Sequence, residues 1–313
     1  MKYGIGISFD GALARAGLFD RSGKLVARAS AEFSGEGRAE AAEKLAELAQ
    51  SLGTRTGKRA ETLGLCVPAA VDGASGEILR WDGAPDMVGP WGRELSRRLG
   101  MPVQLAGCGN AAALAEARFG AGKKYESLVY LSLGAAVRCG AVCGGEIFEG
   151  FGAGGVAAEH MSVEVGGVPC ACGRRGCFGQ YVSGAALVRD TKRAMFENKN
   201  SALWRLAGDA DGVTADTAFE AARGGDAAAQ KVVKNYIFYL SEGILNLANL
   251  LHPQAIVVGG EIAREGEYLL EPLRKYVGER LYVGCDSAPF AIVRAALGEE
   301  DALILGAFAL ALL

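Results

Sequence analysis

Three thiols crowd the run Cys170-Ala171-Cys172-Gly173-Arg174-Arg175-Gly176-Cys177, and His160 stands a short distance upstream. Three thiolates and one imidazole fill a tetrahedral shell, which suits Zn2+ and leaves no open coordination position. A closed shell cannot activate water, so the expected metal holds structure. Gly173 and Gly176 let the loop curl around an ion, and Arg174 and Arg175 can offset the thiolate charge. The chain has only 2 histidines, which makes chance placement of one beside this loop a poor explanation. The other cysteines, Cys66, Cys108, Cys139, Cys143 and Cys285, are expected as free thiols in a reducing compartment. Cys108 opens an expected helix, where a dipole would favour a thiolate; a buried, inert thiol is the commoner case.

The elements that must position this loop follow from pattern. Tyr3–Ser8, Ala12–Phe19 and Lys24–Glu32 read as strands, with Asp20-Arg21-Ser22-Gly23 as a turn. Ala39–Leu52 reads as a helix with Leu45, Leu48 and Leu52 on one face, and Thr62–Val67 as a buried strand. Pro102–Leu105 is a further strand, and Asn110–Phe119 a helix after a glycine-rich turn. Ser127–Leu133 and Val137–Val142 pair as a hairpin, followed by Glu146–Phe148. Ala227–Leu251 is a long core helix that His252-Pro253 stops. Gln254–Val258, Ala291–Ala295 and the helix Ala302–Leu313 complete an α/β chain.

Composition sets limits. The chain has 313 residues, 50% hydrophobic and 22% charged, with 46 glycines. A net charge of -3 gives no general attraction to nucleic acid or anionic membrane. The opening residues lack a secretory pattern. The longest apolar run, Ala302 to Leu313, is shorter than the ~17–25 residues a membrane-spanning helix needs. A cytoplasmic protein is expected, with no nucleic-acid or membrane partner.

The zinc loop and its surroundings resemble the ROK family of bacterial sugar kinases and regulators. Ala16-Gly17-Leu18-Phe19-Asp20, Val67-Pro68 with Val71-Asp72, and Asn110-Ala111-Ala112-Ala113-Leu114 match the family pattern. So do Phe119-Gly120-Ala121-Gly122-Lys123, Tyr181-Val182-Ser183-Gly184 and Ala255-Ile256-Val257-Val258-Gly259-Gly260. The resemblance runs from end to end. It implies a two-lobed actin-like ATPase (ribonuclease-H-like) fold hinged over a cleft, in a homodimer. The lobes would be 1–115 plus 296–313, and 116–295 with the zinc loop. The family's regulators carry a helix-turn-helix domain ahead of the first strand; this chain starts in that strand, which leaves a regulator lacking its DNA-binding domain as a third reading.

A sugar kinase must deprotonate a hydroxyl, cradle ATP and hold Mg2+. The resemblance places a base in a Glu-Asn-Asp-Ala-Asn stretch that here reads Ala106-Gly107-Cys108-Gly109-Asn110. Cys108 stands where the catalytic carboxylate belongs. The first phosphate loop, Asp-x-Gly-Gly-Thr-Lys in the family, is Ser8-Phe9-Asp10-Gly11-Ala12-Leu13. The second, Gly-Thr-Gly-x-Gly-Gly-Gly, is Gly134-Ala135-Ala136-Val137-Arg138-Cys139-Gly140. Ala157 and Gly179 replace two glutamates that bind sugar hydroxyls, Glu159 lies two positions from the first, and Asp86 replaces an asparagine.

These substitutions imply a catalytically inactive ROK protein with a binding or regulatory role, and argue against both ATP and Mg2+. The residual ligand groups would be Asp86, Asn110, Glu159 and His160. Gly11, Gly134, Arg138, Gly259 and Gly260 would mark a vestigial nucleotide site. Arg80, Trp81, Asp82, Asp86 and Trp91 could line a sugar-like ligand at the cleft edge; a protein partner is the other candidate. The alternative is an ATP-dependent hexose or N-acetylhexosamine kinase in which Asp10, Asp86 or Glu159 serves as base.

Overall fold

A computed structural model describes residues 3–35, 37–150, 154–282 and 290–312. Cys285 lies outside the described residues. The chain divides into two compact units. One comprises Met1–Tyr130, Gly140–Val156 and Ala295–Leu313; the other comprises Leu131–Cys139 and Ala157–Arg294.

The first unit opens with β1 (Tyr3–Phe9), β2 (Leu13–Asp20) and β3 (Leu25–Glu32) as an antiparallel meander. Helix α1 (Arg38–Thr56) crosses back, and β4 (Ala60–Val67) pairs parallel to β1. The short hairpin β5 (Ala70–Asp72) and β6 (Glu77–Arg80) precedes α2 (Trp91–Leu99) and β7 (Val103–Gly107). The sheet order is β3-β2-β1-β4-β7. Helix α3 (Cys108–Phe119) leaves β7 directly. Strand alternation explains the core: Ile5, Ile7 and Phe9 share one face of β1 and are buried with Leu45, Leu48 and Leu52 of α1.

A second five-stranded sheet has the order β10-β9-β8-β11-β12. Its strands β8 (Leu128–Leu133), β9 (Val137–Cys143) and β10 (Glu146–Ile147) come early, β11 (Ala255–Gly259) and β12 (Ala291–Arg294) late. Between them the second unit builds α4 (Gly179–Val182), α5 (Gly184–Glu197), α6 (Ala202–Ala207), α7 (Thr217–Arg223) and α8 (Ala227–Leu251). Asp226 caps α8 by accepting from Ala229 N at 2.9 Å. His252 ends it in the left-handed conformation, φ 45°. Helix α9 (Glu267–Gly278) lies between β11 and β12 in sequence.

Helix α10 (Glu299–Leu310) returns to the first unit and covers its sheet on the face opposite α1. Glycine permits this approach. A β-carbon on Gly6 would lie 1.9 Å from Ile304 O, and one on Gly64 would lie 1.6 Å from Ala307 O. Gly306 of α10 meets α3 the same way, 1.9 Å from Ala111 O. Fully buried Glu116 locks the arrangement: its carboxylate accepts from Ala121 N at 2.7 Å, Ala296 N at 3.2 Å and Leu297 N at 2.8 Å.

Trp81 and Trp91 depart from the expectation that they line a ligand. Both are buried at 5% and 0% exposure. They sit edge-on or tilted against Phe9, at 5.7 and 6.0 Å between centroids. Trp91 Nε1 donates to Met87 O at 2.6 Å, so its polar edge is used inside the core. Asp86, by contrast, is exposed in a 3-10 turn, Pro85–Met87.

Candidate functional site

The second unit gathers His160, Cys170, Cys172 and Cys177, as their spacing predicted. Their potential ligand atoms lie within 4.8 Å of one another, a constellation that could hold a metal ion. Cys170 Sγ is 3.6 Å from His160 Nδ1, and Cys172 Sγ is 3.6 Å from Cys177 Sγ. The loop is a tight turn in which Cys170 N donates to Arg174 O at 2.9 Å and Gly173 N to Cys170 O at 3.0 Å. Gly173 and Gly176 have φ of 87° and 75°, and a β-carbon on Gly176 would lie 1.6 Å from Glu164 O. Side chains outside the quartet steer it. Arg174 donates to His160 O at 3.2 Å and Ser162 Oγ at 3.1 Å, Arg175 to Gly166 O at 3.1 Å, and Gln180 Nε2 to Cys170 Sγ at 3.8 Å. Burial pushes the Cys177 thiol well up, and its sulfur neighbours add to this. The backbone of Arg174 holds the Cys172 thiol below the ordinary range.

In the first unit, the β1–β2 connection is closed on itself. Asp10 Oδ1 accepts from Ala12 N at 2.9 Å and Leu13 N at 2.8 Å, and Asp10 N donates to Leu13 O at 3.2 Å. Gly11 makes the turn with φ 97°. Cys108 is the first residue of α3 and is buried in an apolar cluster with Cys66, Ala111 and Ala307. Asn110, two residues further on, is 6% exposed, and its Oδ1 has no hydrogen-bond partner. Gly155, φ 66°, packs against this amide: a β-carbon there would meet Asn110 Nδ2 at 2.6 Å. Glu149 is a group the sequence reading passed over. Burial, and then the Asp72 carboxylate, push its carboxyl above the usual range. Only its place in the glycine-rich stretch before His160 could have flagged it.

In the second unit, Gly134 and Gly260 come together around Leu133. Gly134 O accepts from Gly184 N at 2.7 Å, which docks the start of α5 on this turn. A β-carbon on Gly260 (φ 84°) would fall 2.5 Å from Leu133 N. Gly259 ends β11 beside it. Ser183 caps α5 by accepting from Ala186 N at 3.1 Å, and Ala185 N reaches Ala135 O at 3.4 Å, so the first amides of that helix are engaged. Glu159 Oε2 is buried without a hydrogen-bond partner. Burial raises its carboxyl pKa, against the lowering effects of its own backbone, His160 and Arg138. Its β-carbon stands 3.4 Å from where Gly179 would carry one. Cys139 of β9 is a neighbour: burial pushes that thiol far up and Glu159 adds to the shift.

The sequence pattern of the ROK family matches residues 4–313. The chain belongs to the ROK family. It is 30% identical over 308 residues to a glucokinase of Thermotoga maritima, covering 97% of this chain and 95% of that one. Among solved structures it matches a ROK glucokinase from Streptomyces griseus in complex with glucose and AMPPNP, with a TM-score of 0.79, 30% identity and 99% of both chains covered. It also matches a ROK hexokinase from Thermus thermophilus, with a TM-score of 0.81 and 31% identity, over 99% of this chain and 98% of that one. The fold is that of the actin-like ATPases, in the version used by ROK sugar kinases. Among the described residues no helix is long and apolar enough to cross a membrane.

Proposed function

We propose that this ROK protein binds a sugar-like ligand without phosphorylating it. The observation that carries this is the Asp10 turn. A phosphate loop works by offering free backbone N–H groups to anionic oxygens. Here the amides of Ala12 and Leu13 are taken by the chain's own carboxylate. A second anion would have to displace Asp10 and would be repelled by it. The position of the family's base adds to the case. A buried thiol among apolar side chains is a poor acceptor for a sugar proton, whereas a carboxylate is a good one.

Ligand binding is supported within the second unit by Glu159 Oε2, a buried acceptor without a donor. A buried acceptor left unmatched costs roughly 1–3 kcal/mol, which ligand hydroxyl groups would recover. The Cys/His quartet fits zinc in this reading. Tetrahedral zinc with bonds of about 2.0–2.3 Å has ligand–ligand edges of about 3.3–3.8 Å. The two 3.6 Å separations fall inside that range. With four protein ligands its work is to hold the loop on which Glu159 and Gly179 sit.

The test is paired. Purified protein is mixed with ATP, Mg2+ and a panel of hexoses and N-acetylhexosamines, and ADP release is followed beside calorimetric sugar binding. The expected outcome is sugar binding that Glu159→Gln weakens, with no sugar-dependent ADP. Sugar-dependent turnover abolished by Asp10→Asn or Glu159→Gln would instead make this an ATP-dependent sugar kinase. That second reading is favoured by its likeness, over nearly the whole chain, to a glucokinase crystallised with glucose and AMPPNP.

A further inference from the structure

His160 and Cys170 are joined by one short strap, residues 161–169, which sets how two of the four Cys/His side chains approach each other. The strap also clasps the rest of the loop. Val163 N donates to Gly176 O at 2.9 Å, Gly176 N to Val168 O at 2.8 Å, and Phe178 N to Met161 O at 2.7 Å. Ser162 and Cys177 form an isolated antiparallel bridge, as do Pro169 and Arg175. The strap therefore carries two members of the quartet at its ends and grips the backbone around a third. Among the described residues its hydrogen bonds stay within residues 158–181, with one exception. Glu164 Oε2 accepts from Tyr239 Oη at 2.9 Å, 75 residues further along the chain.

Tyr239 is built to hold that carboxylate still. It belongs to α8, and Tyr236 of the same helix fixes α8 against α4 by donating to Val182 O at 2.9 Å. The ring of Tyr239 lies 4.3 Å from that of Tyr181 between centroids. Tyr181 Oη in turn accepts from Val168 N at 2.8 Å. Gly167 leaves room for both grips: a β-carbon there would lie 2.0 Å from Tyr181 Oη and 2.7 Å from Glu164 Cγ. Val165, between the two grips, is 96% exposed, so its side chain adds no packing to hold the strap's tip. We propose that Tyr239 is a positioning residue for the metal centre, and that its bond to Glu164 is the latch that keeps the strap closed and slows loss of the ion. This rests on the reading of the Cys/His quartet as a zinc site. Hydrogen bonds that orient metal ligands carry about 10–100-fold in metal affinity. This latch acts through the strap on a carboxylate acceptor, which puts it at the low end, about tenfold. By linkage the effect runs both ways, so the bound ion also holds Glu164 at Tyr239.

Transfer of metal from the full chain to a chromophoric chelator tests this, with Zn2+ for affinity and Co2+ for the absorption spectrum of the bound ion. Tyr239→Phe should weaken Zn2+ binding about tenfold and speed its release to match. The Co2+ bands should stay those of an unchanged tetrahedral shell, because all four ligands remain. Glu164→Ala should have the same effect, and the double variant should be no weaker than either single one to within about twofold, as for two ends of one bond. Tyr276→Phe is the control: it removes a like bond to α8, from Tyr276 Oη to Glu242 Oε1 at 2.7 Å, outside the strap. It should leave Zn2+ affinity and release unchanged, whatever it costs in melting temperature. Glu164 is exposed, so Glu164→Ala decides should Tyr239→Phe fail to fold. A Tyr239→Phe protein that holds Zn2+ as wild type does, losses that add in the double variant, or equal weakening by Tyr276→Phe would overturn the latch alone. A wild type that takes up no Zn2+ would overturn the metal reading and the latch with it.

Discussion

At the residue scale, several polar side chains work by ending or joining backbone segments. Asp226 is the clearest. Its carboxylate caps α8 through Ala229 N and also accepts from Ala202 N at 2.7 Å and Ser201 Oγ at 2.9 Å, tying α6 to the start of α8. Partial burial acts to raise its pKa, but these hydrogen bonds win and hold it below the usual carboxylate value. A depressed acid contributes stability that is complete above its unfolded pKa, about 3.9, and disappears as pH falls through its folded value. Asp226→Ala should therefore cost about 1–2 kcal/mol at pH 7, the ordinary worth of such a cap. The gap between variant and wild type in urea midpoint should close as pH drops below about 4. A gap that stays constant with pH would assign the loss to something other than the charged cap. The Cys/His cluster was legible from sequence because three of its members are local and the fourth is close upstream. Glu116 was not, since in Ala113-Leu114-Ala115-Glu116-Ala117 it reads as an ordinary exposed helix charge. Two of its three donors lie about 180 residues away. Glu149 was missed for the same reason: its burial and its carboxylate neighbour come from the tertiary fold.

At the element scale, packing of α10 rests on missing β-carbons rather than on fitted side chains. Gly6 and Gly64 sit on neighbouring strands with backbone oxygens of α10 above them. Gly64→Ala should destabilise the first unit by about 3 kcal/mol or more, because the obstruction is backbone and cannot rotate aside. Gly57→Ala provides the contrast: no atom lies within 4 Å, but φ is 65°, so about 1 kcal/mol of backbone strain is expected. Guanidinium unfolding of both variants would check the ranking, and equal losses would remove the close-packing account. Periodicity gave α8 to the residue, since long helices with a buried stripe and clear stops announce themselves. The first strands and α1 also came out within a few residues. The hairpin of β5 and β6 escaped because each strand is too short to show alternation. Helix α9 escaped because Pro272 lies inside it and reads as a breaker.

At the scale of the whole molecule, the ROK architecture spans the chain, and metal and chemistry can be examined apart. Elemental analysis should find one zinc per chain. Its removal by chelator, or Cys177→Ser, should lower the melting temperature by roughly 5 °C or more, a structural metal being bound chiefly by the folded state. Stability indifferent to chelation would strip the quartet of its structural role. The threading of the first unit has a further consequence. A ribosome makes β1 and β4 first and α10 only after the entire second unit has emerged. Until then, the glycine face of the first sheet has no helix to cover it. Folding of this half cannot proceed vectorially. The nascent sheet must wait, half-clad, through the synthesis of its neighbour, and a chain stalled before α10 would present chaperones with an open apolar surface.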